Sequence, residues 1–174
     1  MSAIDLVILG FIKKTPGSPY ELAQKVEASR INKIVKIGSP TIYQNIKKMA
    51  KKEYLSSKTV REGEMPEKTN YTLTEKGEAY FLELMEQLSS NPGRIYFNFN
   101  GFMKNLMLLE KETGLKMLKN LKLFFYDTKE DLEKDIKDIN SPSFEIKAIL
   151  KQYHIMLKGM IQWIEEVIED YKKE

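Results

Sequence analysis

Ser39-Pro40-Thr41-Ile42-Tyr43-Gln44-Asn45-Ile46-Lys47-Lys48-Met49-Ala50-Lys51-Lys52 reads as a basic amphipathic helix. Ile42, Ile46 and Met49, spaced four and three apart, share one face, and Lys47, Lys48, Lys51 and Lys52 are distributed around the rest. Ser39 followed by Pro40 is a start signal, with serine at the N-cap and proline at the first helical position. Upstream, Ile4, Val7, Ile8, Phe11 and Ile12 recur at helical spacing from Ala3 to Lys14, and Thr15-Pro16-Gly17 stops that helix. Ser18, Pro19 and Glu21 supply an N-cap, a proline and a first-turn acid for a second helix through Ala28. Between Ser29 and Gly38 only Ile34 to Ile37 suits a short strand. Downstream, Tyr54 to Val60 and Thr69 to Leu73 are strand-like, and the polar segment from Arg61 to Lys68, with Gly63 and Pro66, forms the tip of a hairpin. Thr74, Glu75 and Gly77 then open a helix to Leu88.

Charge singles out the same region. Lys25, Arg30, Lys33, Lys36, Lys47, Lys48, Lys51, Lys52, Lys58 and Arg61 face only Glu27 and Glu53 between residues 25 and 61, a net +8, although the whole chain carries only +3. Such a run is either a solvated face or the footprint of a polyanion. Zero cysteines exclude disulfides, thiol catalysis and cysteine-ligated metals, and the single His154 leaves no histidine cluster for a metal or a hydrolytic triad. No cofactor or metal is expected, and a binding protein is favoured over an enzyme. No apolar run approaches the ~18 residues of a membrane span and no secretory segment follows Met1, so a cytoplasmic location is expected.

The 174 residues suit one domain, or a small domain with an appendage. Five turn formers, Ser89-Ser90-Asn91-Pro92-Gly93, place the boundary between a domain at 1–90 and another at 91–174. The second is expected to be helical. Phe102 to Leu109 is one short apolar segment. Leu115, Leu118, Leu121 and Phe125 form the face of a longer helix that continues through the mixed-charge stretch from Asp127 to Asp138. In the last helix, Ile146, Leu150, Tyr153, Leu157, Met160, Ile164, Val167 and Tyr171 follow a 4,3 heptad spacing. Ile149, Met156 and Trp163 run beside that seam, with Ile161 and Ile168 on its other flank. The spacing is a coiled-coil-like seam, and so wide an apolar face should contact more than one neighbouring helix; Leu150, Tyr153, Leu157, Met160, Ile164, Val167 and Tyr171 are the expected dimerisation residues. Trp163 and Met156, with Tyr153 and Met160, are either ordinary dimer core or the lining of a site for a small aromatic effector.

Helix, helix, basic helix, hairpin, helix is the order of a winged helix-turn-helix, so the expected class is mainly α with a small β-hairpin, followed by a helical dimerisation domain. Pro19-Tyr20-Glu21-Leu22, Ser39-Pro40-Thr41-Ile42-Tyr43 and Tyr71-Thr72-Leu73-Thr74-Glu75-Lys76-Gly77 resemble, in order, motifs of the PadR-like transcriptional regulators. Trp163-Ile164-Glu165-Glu166 is similar to a motif near the end of the larger members, which carry a helical C-terminal dimerisation domain. Pro19 and Glu53 stand where that family commonly has glycine. The resemblance implies a homodimeric regulator of transcription, most often a repressor, on an inverted-repeat operator of double-stranded DNA. A winged-helix and coiled-coil protein-interaction module that reads no DNA is the alternative.

With Ile42, Ile46 and Met49 turned inward, a recognition helix offers Thr41, Gln44, Asn45 and Lys48 to the major groove, flanked by Tyr43 and Lys47. Gln44 and Asn45 suit bidentate contacts to adenine; Ser39, Tyr43 and Lys47 suit phosphates. Tyr20 of the second helix and Arg61 and Lys68 of the wing complete the expected DNA-binding set.

Overall fold

The computed structural model describes residues 3–29, 31, 35, 37–61, 67–137 and 141–174. Its helices and strands are α1 (Ala3–Lys14), α2 (Pro19–Ala28), α3 (Ser39–Lys51), β1 (Leu55–Val60), β2 (Lys68–Leu73), α4 (Glu75–Ser90), α5 (Asn100–Asn105), α6 (Lys111–Lys137) and α7 (Phe144–Lys173), with a 3-10 turn at Leu106–Leu108. Most of the hairpin tip lies outside the described residues. So does part of the Ile34–Ile37 strand, of which Val35 and Ile37 are described and neither is in a strand. The chain divides into two compact units, Met1–Ile95 and Tyr96–Glu174.

Local chemistry starts the first unit's helices. Ser18 accepts the Glu21 N–H and Glu21 accepts the Ser18 N–H, a reciprocal capping box at α2. Thr74 caps α4 by accepting the Gly77 N–H. At α3 the sequence reading is off by one. Gly38 is the extended N-cap residue, its carbonyl accepts the Ile42 N–H at 3.1 Å, and Ser39 is already helical with no cap bond from a side chain. Glu53 sits at φ 63°, so a non-glycine residue takes the left-handed turn after α3.

β1 and β2 pair antiparallel in the register Leu55↔Leu73 to Val60↔Lys68. The α1–α2 turn joins β2 through Gly17 and Tyr71, which exchange both backbone hydrogen bonds. The core beneath is built from Ile8, Leu9, Ile12, Leu22, Val26, Ile42, Ile46, Met49, Leu55 and Leu84. Side chains of this size each contribute roughly 1.5 to 3 kcal/mol when fully buried. Ile4 and Val7, which the apolar spacing also assigned inward, are only partly buried; α1 instead turns Asp5, Ile8, Leu9 and Ile12 inside.

Asp5 is only 3% exposed, and the Tyr80 hydroxyl donates to its Oδ2 at 3.3 Å while the Tyr80 ring stacks on Tyr54 at 4.2 Å. Burial, then the Asp5 charge, push the Tyr80 phenol up to about 12. Because the folded value is raised, this contribution to stability is complete below about pH 10 and is lost as pH rises through 12. In an alkaline titration followed by phenolate absorbance, one of the nine tyrosines should ionise near 12 and disappear from that range in Tyr80→Phe. A curve unchanged by that substitution would contradict the assignment.

In the second unit α6 and α7 pack antiparallel. Lys111 Nζ donates to the Lys172 carbonyl, and at mid-length Lys122 Nζ lies 2.7 Å from Glu165 Oε1. Tyr126 donates to the same oxygen at 3.0 Å. The core there comprises Leu106, Leu118, Phe125, Leu157, Ile161, Ile164, Ile168 and Tyr171. This corrects the seam read from the sequence. Ile164 is 0% exposed within a single chain, with Leu157 at 5% and Tyr171 at 8%, so these three face α6 of the same chain and are closed to a partner. The inward row is rotated toward Ile161 and Ile168, which leaves Leu150, Tyr153, Met160 and Val167 half-buried. The physical reason is covalent proximity: a helix joined by a short connection meets the seam before a second molecule can.

Candidate nucleic-acid interface

The α3 core face closes completely, with Ile42, Ile46 and Met49 each 1% exposed, and that fixes which residues look outward. Ser39, Tyr43, Gln44, Lys47, Lys48 and Lys51 are exposed, while Thr41 and Asn45 are half-buried. Gln44 lies at the centre of the outer face, with Lys47 three and Lys51 seven residues on. Lys51 is thereby added to the set chosen from the sequence, and the helical wheel carried the signal. Among the described residues none of Lys47, Lys48 and Lys51 has an ion-pair partner, so three ammonium groups stand on this face without internal neutralisation.

Tyr43 is 39% exposed and is not sealed beneath the wing. Asn45 differs from expectation. Its Nδ2 donates to the Thr41 carbonyl at 2.8 Å, so one amide hydrogen is spent inside the helix, and Gln44 is the better placed amide for a base edge. Tyr20 projects from α2 at 62% exposure, its hydroxyl accepting from Gln24 Nε2 at 3.0 Å. Arg61, at the end of β1, is exposed. Lys68 has its amino group 3.1 Å from Glu21 Oε1.

In the second unit, Trp163 is half-buried and packs 5.6 Å from Phe99, which meets Phe125 edge-on at 5.6 Å. Met160 packs against the same core, whereas Tyr153 and Met156 are half-buried further back along α7. Phe99 was missed in the sequence; its signal was the aromatic run Tyr96-Phe97-Asn98-Phe99 directly after the turn formers. The acids of α6 are partly taken up in exposed pairs with lysines of the same helix, such as Glu130 with Lys134 at 2.9 Å. Among the described residues no acid or histidine cluster could hold a metal ion, and no helix is long and apolar enough to cross a membrane.

Residues 8–83 match the transcriptional regulator PadR-like family. No curated protein sequence matches the chain significantly. Solved structures do match it along its length. Bacillus subtilis PadR in complex with operator DNA shares 18% identity at TM-score 0.79, covering 98% of this chain and 99% of that one. The same protein in complex with p-coumaric acid shares 17% at TM-score 0.81, with coverage of 98% and 99%. The Vibrio cholerae virulence activator AphA shares 15% at TM-score 0.74, again covering 98% and 99%. At these identities the likeness is one of fold: a mainly helical chain whose winged-helix hairpin is followed by C-terminal helices. Residues 8–83, which carry the capped α2, the basic α3, the paired strands and the Thr74 to Gly77 turn, are the part of this chain that matches the PadR-like family of transcriptional regulators.

Proposed function

We propose that this protein is a cytoplasmic, homodimeric repressor that binds an inverted-repeat operator in double-stranded DNA through α3, relieved by a small aromatic effector. The observation that carries the reading is the outer face of α3: Gln44 at its centre, Lys47, Lys48 and Lys51 around it without acidic partners among the described residues, and a sealed apolar face behind. A helix that presents an amide, hydroxyls and several ammonium groups outward suits base edges and phosphates. The solved structures of Bacillus subtilis PadR, one with operator DNA and one with p-coumaric acid, support the same partners for a chain of this fold.

A second copy is the partner proposed for the second unit. Met117, Leu123 and Phe124 of α6 and Ile155 of α7 are 40 to 59% exposed, an apolar surface that one chain leaves open. Leu150, Tyr153, Met160 and Val167, only half-buried, stay candidates for that contact, and Leu157, Ile164 and Tyr171 do not. Trp163 and Met156 stay the candidate effector residues, with Phe99 beside the indole.

Duplex binding should weaken steeply with salt, and Lys47→Ala or Lys48→Ala should each flatten the slope of log K against log salt by about 0.9. Gln44→Ala should instead relax preference at one base pair, costing about 1 to 3 kcal/mol there. Binding titrations on a selected duplex and a scrambled one separate the two effects. A slope and a preference unchanged in all three variants would overturn the assignment of α3.

A further inference from the structure

Glu21 holds two cationic or donor groups at once. Its Oε2 accepts the Ser18 N–H at 2.8 Å, completing the cap of α2, and its Oε1 lies 3.1 Å from the ammonium of Lys68, 47 residues later on β2. The backbone prepares this meeting. The hydrogen bonds exchanged by Gly17 and Tyr71 set the α1–α2 turn antiparallel to β2, and four residues on from Gly17 and three back from Tyr71 the chain brings Glu21 to Lys68. The cap N–H first, then Lys68, hold the Glu21 carboxyl below its ordinary range, so it stays ionised at neutral pH. Among the described residues, Lys47, Lys48 and Lys51 on α3 have no such arrangement.

We propose that Glu21 is a specificity-determining residue that keeps Lys68 off the phosphate backbone. The inference rests on the DNA-binding reading above. A wing lysine on phosphate adds affinity for every sequence equally, because phosphate contacts carry no base information. Neutralising it internally with a carboxylate lowers binding to unrelated DNA and leaves discrimination to α3, so the ratio of specific to non-specific affinity rises.

Glu21→Gln isolates the charge, because glutamine at the third helical position still closes a capping box while its neutral amide no longer holds an ammonium. The readout is binding to a random-sequence duplex over a salt series from about 50 to 200 mM. Glu21→Gln should bind it more tightly at low salt, with a slope steeper than wild type by about 0.9, so that its advantage shrinks about 3-fold across the series. Lys68→Ala in the wild-type background should leave the slope unchanged, and in the Glu21→Gln background it should restore the wild-type slope. A slope lowered by Lys68→Ala alone would overturn the inference, since Lys68 would already be on phosphate; this arm stands even if Glu21→Gln does not fold. So would steepening by Glu21→Gln that persists with alanine at 68, which is only the loss of an acid. Wild type that binds with a slope reduced by Lys47→Ala, but unaltered by Glu21→Gln, overturns this inference and leaves the DNA-binding reading standing. Salt-independent binding or none by wild type removes both.

Discussion

Ile164→Lys should unfold the helical unit. The side chain is fully buried in the cluster that includes Leu118, Leu157, Ile161 and Ile168, so lysine there forfeits roughly 1.5 to 3 kcal/mol of apolar burial and also places an ammonium among hydrocarbon. A total above about 4 kcal/mol is comparable with the ~5 to 15 kcal/mol that holds a domain folded. The first unit has its own core, from Ile8 to Leu84 in sequence, and should still melt cooperatively. Trp163, the only tryptophan, reports on the second unit: its emission should shift to that of a solvated indole and helical circular dichroism should fall in part. Native emission in Ile164→Lys would show that α6 does not cover this face. Phe124→Lys is the contrasting variant. Phe124 is 59% exposed, so its replacement should preserve the fold and lower self-association, measured by sedimentation, if α6 meets a second copy.

Gly77→Ala should destabilise the winged-helix unit, although alanine is the better helix former. A Cβ built on Gly77 lies 2.0 Å from the Tyr54 carbonyl oxygen and 3.0 Å from its carbon, and both are backbone atoms that cannot rotate away. The same carbonyl accepts the Thr74 N–H at 3.1 Å, so moving it breaks the bond that docks the start of α4 on the base of β1. Overpacking of this kind costs about 3 kcal/mol, offset by about 1 kcal/mol of helix propensity. The net ~2 kcal/mol should lower the melting temperature by roughly 10 °C. Gly159→Ala is the control: nothing lies within 4 Å of a Cβ there, and that variant should gain up to about 1 kcal/mol. Equal melting temperatures for Gly77→Ala and wild type would mean that α4 is not held against Tyr54.

The caps and the hairpin were legible because their chemistry is local. Ser18 with Glu21, and Thr74 with Gly77, satisfy backbone groups within three residues, so a short window contains all the partners. The outward face of α3 was legible for a related reason: three apolar residues at 3.6-residue periodicity leave only one way to turn the helix, and Gln44 and the lysines then face out. Asn45 was not, since its own helix offered the Thr41 carbonyl as a partner that no residue-type rule foresees.

The sequence by itself determined the order of elements, the basic helix and the resemblance to PadR-like regulators, all of which follow from spacing and from residues close in the chain. Tertiary structure decided what depended on distant partners. Asp5 is buried on the inward side of α1, where Tyr80, 75 residues away, donates to it. Lys68 reads as a wing cation near Glu62, Glu64 and Glu67, and only the fold brings Glu21 of α2 to it. The heptad row of α7 looks the same whether its partner is a second chain or α6, since periodicity records that an apolar face needs covering and not which helix covers it. That choice was made by α6, held beside α7 by the connecting chain, which buried Ile164, Leu157 and Tyr171 and left Met117, Leu123 and Phe124 outside.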